Sequence, residues 1–478
     1  MDPRDQRIVE LEAQGAAKDA VIEAQRVEIE LLKQKVEELT QLVMSLKEQL
    51  NRNSGNSSQP PSSDSPGDRA ARQGKTKSGK KRGGQPGHSG STRGLVPPEQ
   101  VSEFKNLFPP ECQNCWAPLP QTADPLAKRF QTVELPQPKA HVIEWLQHCV
   151  SCPRCNYRTW ASVASIPASP FGPHLSSVIA VLTGVYHLSR RATVSLLSDV
   201  IGVEISLGAV SAVEARVSEA VKPAVDEAWQ KVEQSAVKHT DGTSWFQAGL
   251  TRSLWTIAST VATVFKILKD GKAGTLAPLF GKKLGILVSD RASAFNFWAM
   301  EFRQICWAHL LRKAISFSER DGPSGAFGRE LLDYIAIIFD HWGKVKAGKL
   351  SRDEFRELMT PVRKHVEAAL ERAVAAKLPH VSGSCADILA HRAALWTFVD
   401  RDDVEPTNNH AERELRAFVL WRKRSFGTQS ERGNLFAERL MTVAHTARKQ
   451  KKNVLAFLSA CCTAARDGTT PPSLFASA

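Results

Sequence analysis

The hydrophobic and polar positions of this chain change period several times along its length. Ile22, Ile29, Val36, Val43 and Leu50 recur at every seventh residue, and Leu32, Leu39 and Leu46 recur three positions later. Mostly β-branched residues at one seam position and Leu at the other predict a parallel two-stranded coiled coil over residues 1–50. Gly15, Lys18 and Gln25 weaken the earlier heptads, so the strong part runs from Ile22. A single amphipathic helix docked on the chain's own core is the competing expectation. From Asn51 to Gly94 apolar residues nearly vanish, and Ser, Gly, Pro, Lys and Arg take over. Such a composition buries too little surface to offset its ordering entropy, which predicts a disordered linker over 51–94.

Periodicity returns after residue 95. Strand-like segments such as Val142 to Leu146 predict a hairpin within 95–165. Residues 170–232 read as helical: SRRATVSLLSDVIGVEISLGAVSAVEARVSEAV holds two short amphipathic runs joined through Ile201 and Gly202, with Ser206 as N-cap of the second. This helix-turn-helix pattern would place the helix beginning near Leu207 in a DNA major groove. The second run carries few basic residues, so an ordinary helical hairpin competes with that reading. Within 233–460, an alternating segment around Val237 and His239 leads to Asp241. TRSLWTIAST and VATVFKIL then form a hairpin, and a helix-like stretch covers 273–280. The apolar run Leu284 to Val288 is a buried strand ending at Asp290, and FRQICWAHLLRKA is a strand or strand-to-helix edge. Helical sequence fills about 318–400. This order predicts a multidomain α/β chain whose catalytic region is ribonuclease-H-like with a helical insertion, and a C-terminal tail over 461–478.

Charge changes the picture next. The 478 residues carry a formal net charge of +13, which points to a polyanionic partner. In the linker, Arg72, Lys75, Lys77, Lys80, Lys81 and Arg82 suit phosphate contacts, although a solvated linker would look the same. No apolar run approaches membrane-spanning length and the N-terminal segment is charged rather than signal-like, so a cytoplasmic location is expected. Nine cysteines, several in CxxC pairs, favour metal binding over a disulfide framework. Cys112 with Cys115 and Cys152 with Cys155 can complete a closed tetrahedral site for structural Zn²⁺. Cys149 can replace Cys152, and His148 is also spare.

Three carboxylates carry the candidate chemistry: Asp241, Asp290 and Glu412. Glu412 follows a Pro-Thr-Asn-Asn start and belongs in the first turn of a helix. Gathered together, three acids are costly unless divalent cations neutralise them, and Mg²⁺ or Mn²⁺ prefers oxygen donors. Two such cations would serve in-line phosphoryl transfer. Each Asp alone is more often a turn former than a ligand, so the reading rests on all three together. Spacing leaves the third position open among Glu405, Glu412 and Glu414. Asn408 and Asn409 read as helix caps. Trp307 and His309 fit either core packing or the rim of the site. Arg413, Arg416, Arg422, Lys423 and Arg424 would position phosphates beside Glu412.

NSSQPPSSD, RGGQPGH, the two CxxC units, LSRRATVSLLSDVIGVEISLGAVSAVEARV, SDRASAFNF, CWAHLLRK, LWTFV, VEPTNNHAERELR and LWRKRSFGTQSERG occur in this order along nearly the whole chain. In these motifs the chain resembles the transposases of the insertion sequence 66 family, a branch of the DDE transposases. The resemblance implies that Asp241, Asp290 and Glu412 are the catalytic acids and Mg²⁺ ligands, with Asp241 shared between two cations. It implies a bacterial, nucleoid-associated enzyme that cuts the ends of its element and joins them to target DNA. Terminal inverted repeats and target DNA are then the partners, with homodimerisation or higher assembly through the coiled coil and with accessory proteins of the same element. The family often carries Glu directly after the first Asp; here Gly242 stands there. A zinc-containing dimeric DNA-binding regulator without catalysis, and a nuclease of the same fold, are the competing functions.

Overall fold

The computed structural model of the chain describes residues 3–57, 59, 64–69, 94–136, 138–163 and 166–476. The heptad stretch is one helix, α1 (Pro3–Leu50). Its seam is open: Ile22, Ile29, Val36 and Leu39 stand about half exposed or more, and no described residue of α1 is buried. Among the described residues none buries this face.

The start of the expected disordered linker is ordered where it is described. Asn56 Nδ2 donates to Asn51 O and to Glu319 Oε2, both at 2.8 Å. Asp64 accepts the backbone N–H and the hydroxyl of Ser54 at 2.6 and 2.8 Å. Asn56 and Asp64 are both buried. Short polar side chains close these turns without apolar burial, which a composition argument does not detect. The basic run from Arg72 to Arg82 lies outside the described residues.

The chain divides into two units, one of residues 72–168 and 190–210, the other of 1–71, 169–189 and 211–478. In the first, β1 (Cys149–Ser151) pairs antiparallel with β2 (Arg158–Trp160), Cys149 lying opposite Trp160. Val142 to Leu146, expected as a strand, has no regular structure.

The helical stretch contains α2 (Pro173–Ala180), α3 (Arg190–Leu196), α4 (Leu207–Ala220) and α5 (Lys222–Gln234). π-Helical turns extend α2 over Val181–Val185 and α3 over Leu197–Ile201. Gly202, at φ +71°, stops the α3 run, and its N–H donates to Ser198 O at 3.1 Å. Ser206 Oγ accepts the Ala209 N–H at 3.1 Å, the expected N-cap of α4. The unit boundaries pass through this stretch. The expected boundary at 232/233 falls inside α5.

The second unit is built on a sheet of β3 (Val237–Gln247), β4 (Leu250–Ala258), β5 (Thr263–Leu268), β6 (Ile286–Ser289) and β7 (Arg303–Ile305), in the order β5-β4-β3-β6-β7. β3, β4 and β5 form an antiparallel meander; β6 runs parallel to β3 and β7 parallel to β6. Ala248 and Gly249, at φ +50° and +78°, make the two-residue turn between β3 and β4. A short helix, α6 (Ala273–Leu276), precedes β6.

Beyond β7 come α7 (Trp307–Ser318), α8 (Gly322–Lys346) and α9 (Arg352–Ala375), then short helices α10 (Ser382–Ala390), α11 (Arg392–Leu395) and α12 (Thr397–Asp400). A capping box between Ser351 and Glu354 starts α9. α8 to α12 occupy the stretch expected to be helical. Ile335, Ile338, Phe355, Met359 and Val366 bury their side chains in one core with Trp307, Trp396 and Phe398. The chain then returns to the sheet through α13 (Asn409–Ser425), α14 (Glu431–Lys449) and α15 (Val454–Asp467). The expected tail boundary at 460/461 falls inside α15.

α14 closes the outer edge of β5 with side chains. Glu438 Oε1, Thr442 Oγ1 and Thr446 Oγ1 accept the N–H groups of Ile267, Phe265 and Thr263 at 2.7, 3.1 and 3.1 Å. Four helical residues advance about 6 Å and two strand residues about 6.6 Å, so the two spacings match over this length. Among the described residues no helix is long and apolar enough to cross a membrane.

Candidate active site

Asp241 lies in the middle of β3, not at its end as expected, and faces Thr256 of β4. The strand continues because the polar run from Gly242 to Ser244 pairs with β4 through the hairpin. Asp290 directly follows β6, and its Oδ1 accepts the Ala292 N–H at 2.9 Å. Parallel pairing sets His239 beside Val288. Asp241 and Asp290 each lie two residues further along, on the same face of neighbouring strands. The buried Arg303 guanidinium donates to Ser289 Oγ at 3.2 Å and Asp290 O at 3.1 Å, fixing the strand end.

Glu412 sits in the first turn of α13, as expected. The Asp241 carboxyl is pushed up to about 7, first by burial and then by the charge of Asp290, with Glu412 adding to it. The Gly242 N–H, donating to Asp241 Oδ1 at 2.9 Å, and the charge of Arg312 act in the opposite direction. The charges of Asp290 and Glu412 both reach Asp241, from the end of β6 and from α13, although the three carboxylates do not form one close ligand group.

Two α7 side chains border this cluster. Arg312 approaches Glu412 Oε1 at 3.7 Å and His309 Nδ1 approaches it at 3.9 Å. The His309 pKa is lowered by burial and then by Arg312, and its buried Nδ1 has no hydrogen-bond partner. Cys306, His309 and Glu412 bring ligand atoms within 4.8 Å of one another, the one such group among the described residues. Burial raises the Cys306 thiol to about 11, and its sulfur accepts the Asn408 N–H at 3.1 Å. A neutral thiol is a poor metal ligand. The carboxylates are hard donors whose mutual repulsion a divalent cation would relieve, so in kind they fit Mg²⁺ or Mn²⁺. All three need not share one coordination sphere, because a two-cation site spreads its ligands.

The rivals of Glu412 are engaged elsewhere. Glu405 pairs with Lys346 at 3.5 Å. Glu414 points to the other side of α13, ion-paired with His445 and with Lys449 at 3.1 Å. Asn408 occupies the N-cap position without capping. Fully buried, it donates from Nδ2 to Thr240 O at 2.7 Å, and its Oδ1 faces His239 Nδ1 at 3.3 Å. It thereby ties the residue before Asp241 to the helix of Glu412. Sequence reasoning gave the cap and missed this link, because local preference does not show that a strand passes there. Trp307 follows the core reading: its indole donates to Leu395 O at 2.8 Å.

Arg422 does not join the phosphate-facing set. It hydrogen-bonds Thr243 Oγ1 at 3.1 Å and the carbonyl and hydroxyl of Ser244 on β3. Arg413, Arg416, Lys423 and Arg424 are exposed, with no ion-pair partner among the described residues. Gly242 has its own explanation. Trp255 is its cross-strand partner, and the indole lies across the position a side chain would take.

In the other unit, each CxxC forms a tight knuckle. Cys112 exchanges backbone hydrogen bonds with Ala117 and Trp116, and Cys152 with Tyr157 and Asn156, at 2.8–2.9 Å. Backbone N–H groups lower the pKa of Cys112 and of Cys152. The knuckles suit thiolate ligation, but the four sulfurs do not converge into one ligand group.

A five-stranded mixed sheet with many helices makes this an α/β protein, and α13 carries an exposed basic face next to Glu412. Residues 168–435 match the family described as Transposase IS66 family, and the chain belongs to it. That family carries DNA binding and transposition with it. Residues 2–94 match a second family, described as a family of unknown function (DUF6444). No curated protein matches the chain.

Proposed function

We propose that this chain is a DNA transposase that cuts the ends of its element and joins them to target DNA, with Asp241, Asp290 and Glu412 as the catalytic acids. The charges that reach Asp241 of β3 from Asp290 at the end of β6 and from Glu412 in the first turn of α13 carry the reading. The strand order, an antiparallel meander followed by two parallel strands, supports a ribonuclease-H-like core.

Asp241, which feels the charges of both other acids, would be the shared ligand of two divalent cations, with Asp290 and Glu412 each completing one. Bound there, such cations lower the pKa of an attacking water or 3′-hydroxyl and offset charge on the leaving oxygen. Asn408 holds β3 and α13 in register, and Arg303 holds the end of β6. Arg312 balances the acidic cluster where a phosphate would approach. The exposed cations of α13 bind the DNA backbone on either side. Zinc at Cys112, Cys115, Cys152 and Cys155 would draw the two knuckles together and perform no chemistry. The uncovered seam of α1 suits a second copy of the chain, pairing two DNA ends.

The test uses full-length protein, Mg²⁺ and DNA carrying the element's ends. Asp241→Asn, Asp290→Asn and Glu412→Gln should each keep DNA binding and abolish strand cleavage. Full activity in any one removes that residue from the proposal. Wild-type binding without cutting points to a regulator, and cutting without joining to a nuclease.

A further inference from the structure

The turn that ends α13 breaks two local rules at one residue. Phe426 adopts φ +55°, a left-handed conformation that suits glycine and that a bulky side chain avoids. Its ring is 77% exposed, where a polar residue would be better solvated. The turn is nonetheless firmly held. The Phe426 N–H donates to Arg422 O at 2.8 Å, the Thr428 N–H to Phe246 O at 2.9 Å and the Ala248 N–H to Thr428 O at 2.8 Å. Gly427, at φ +94°, lets the chain pass directly against the Phe246 carbonyl. These bonds tie the turn to the tip of the β3–β4 hairpin. An unfavourable conformation at a rigidly braced tip is a mark of a site kept for contact rather than for folding.

The helix leading to this tip has one exposed basic face. Arg413, Arg416, Leu420 and Lys423 follow the i, i+3, i+7, i+10 spacing of one exposed face, with Arg424 beside them and Glu412 at its border. We propose that Phe426 stacks on a nucleobase drawn out of the duplex stack, while Arg413, Arg416, Lys423 and Arg424 hold the phosphates between that base and the acidic site. This rests on the reading of the chain as a DNA-processing enzyme and adds where the DNA is deformed. A phenyl ring offers no hydrogen bond, so the contact is by face and tolerates any base. Glu412 and Phe426 are 14 residues apart, about 21 Å of helix, which corresponds to about six base steps of DNA.

The experiment measures binding of the full-length chain to a duplex carrying one element end, across a salt series. Permanganate reactivity of thymines placed about five to seven base pairs from the cleaved phosphate reports unstacking. Phe426→Gly should weaken binding about tenfold with an unchanged salt slope, and should erase the enhanced thymine reactivity. Phe426→Trp should keep both. Lys423→Ala should instead reduce the salt slope by about one. The glycine variant should melt no lower than wild type, since glycine suits the turn, which separates lost contact from lost fold. Unchanged binding and thymine reactivity in Phe426→Gly overturns the proposal while leaving the transposase reading standing. A wild-type chain that neither binds nor cuts the duplex overturns both.

Discussion

Replacing Gly242 by alanine sets two effects of opposite sign against each other. In a strand interior, alanine normally gains about 0.5–1 kcal/mol over glycine, because the unfolded chain loses freedom. Here the new methyl would lie 2.7 Å from Cζ3 of Trp255 and 2.8 Å from Cε3 and Cη2. Carbon atoms in good contact sit about 3.5–4.0 Å apart, so the indole must retreat by about 1 Å. It has little room. The ring is buried, packs edge-on against Phe295 at 5.5 Å between centroids, and has Gly271 along its other side. Overpacking of this kind costs about 1–3 kcal/mol, which outweighs the glycine gain and leaves a net loss of about 1–2 kcal/mol. Urea unfolding followed by circular dichroism measures it.

The decisive comparison is a double-mutant cycle with Trp255→Leu, which removes the obstructing ring. Gly242→Ala should be neutral or stabilising in that background, giving a coupling of about 1–3 kcal/mol. Two substitutions that simply add, or a stabilising Gly242→Ala in the wild-type background, would refute the steric account. Gly242→Glu should fold poorly alone and recover with Trp255→Leu.

Other consequences can be checked separately. Asn408→Ala leaves the Thr240 carbonyl without its buried donor; a loss of about 1–3 kcal/mol in urea unfolding is expected, with a larger proportional drop in DNA cleavage than in DNA binding. Thr442→Val strands the Phe265 N–H on the sheet edge and should cost a similar amount, whereas Thr442→Ser should cost less. Burial alone would raise the Glu414 carboxyl, but the His445 hydrogen bond and the Lys449 charge outweigh it and hold the carboxyl at about 2, against an ordinary 4.5. Its contribution, up to about 3 kcal/mol, is therefore complete above pH 4.5 and is lost as the pH falls towards 2; Glu414→Gln should flatten that part of an acid-unfolding curve. Cys152→Ser should lower bound zinc from about one per chain towards none, measured by metal analysis of the purified protein.

Where periodicity governs, the sequence was legible. The seven-residue repeat of α1, the hairpin of β4 and β5, the helices α8 to α12 and the position of Glu412 in a first helical turn all follow from local pattern. The alternating segment predicts a strand ending at Asp241, but β3 runs on to Gln247. The strand continues there for a tertiary reason, the pairing of Gly242 to Gln247 with β4. Asn408 shows the same limit. Its type suits a cap, and only the passage of β3 behind α13 turns its side chain to Thr240. Arg422 looked like its basic neighbours, yet the helix turns it inward to Ser244. Asn56 and Asp64 sit in a stretch whose composition argues against order, and a few specific hydrogen bonds decide otherwise.

The side-chain ladder from α14 to β5 also limits how this protein can meet others. An open strand edge is a template on which any extended segment can add, including one from an identical chain. With Glu438, Thr442 and Thr446 already accepting the outward N–H groups, β5 has no free donors to offer an incoming strand along this length. Two copies brought together on one DNA, as the proposed function requires, would be at high local concentration, where accidental sheet-to-sheet joining is most dangerous. A helix that occupies the edge keeps such encounters from becoming fibres and leaves assembly to surfaces built for it.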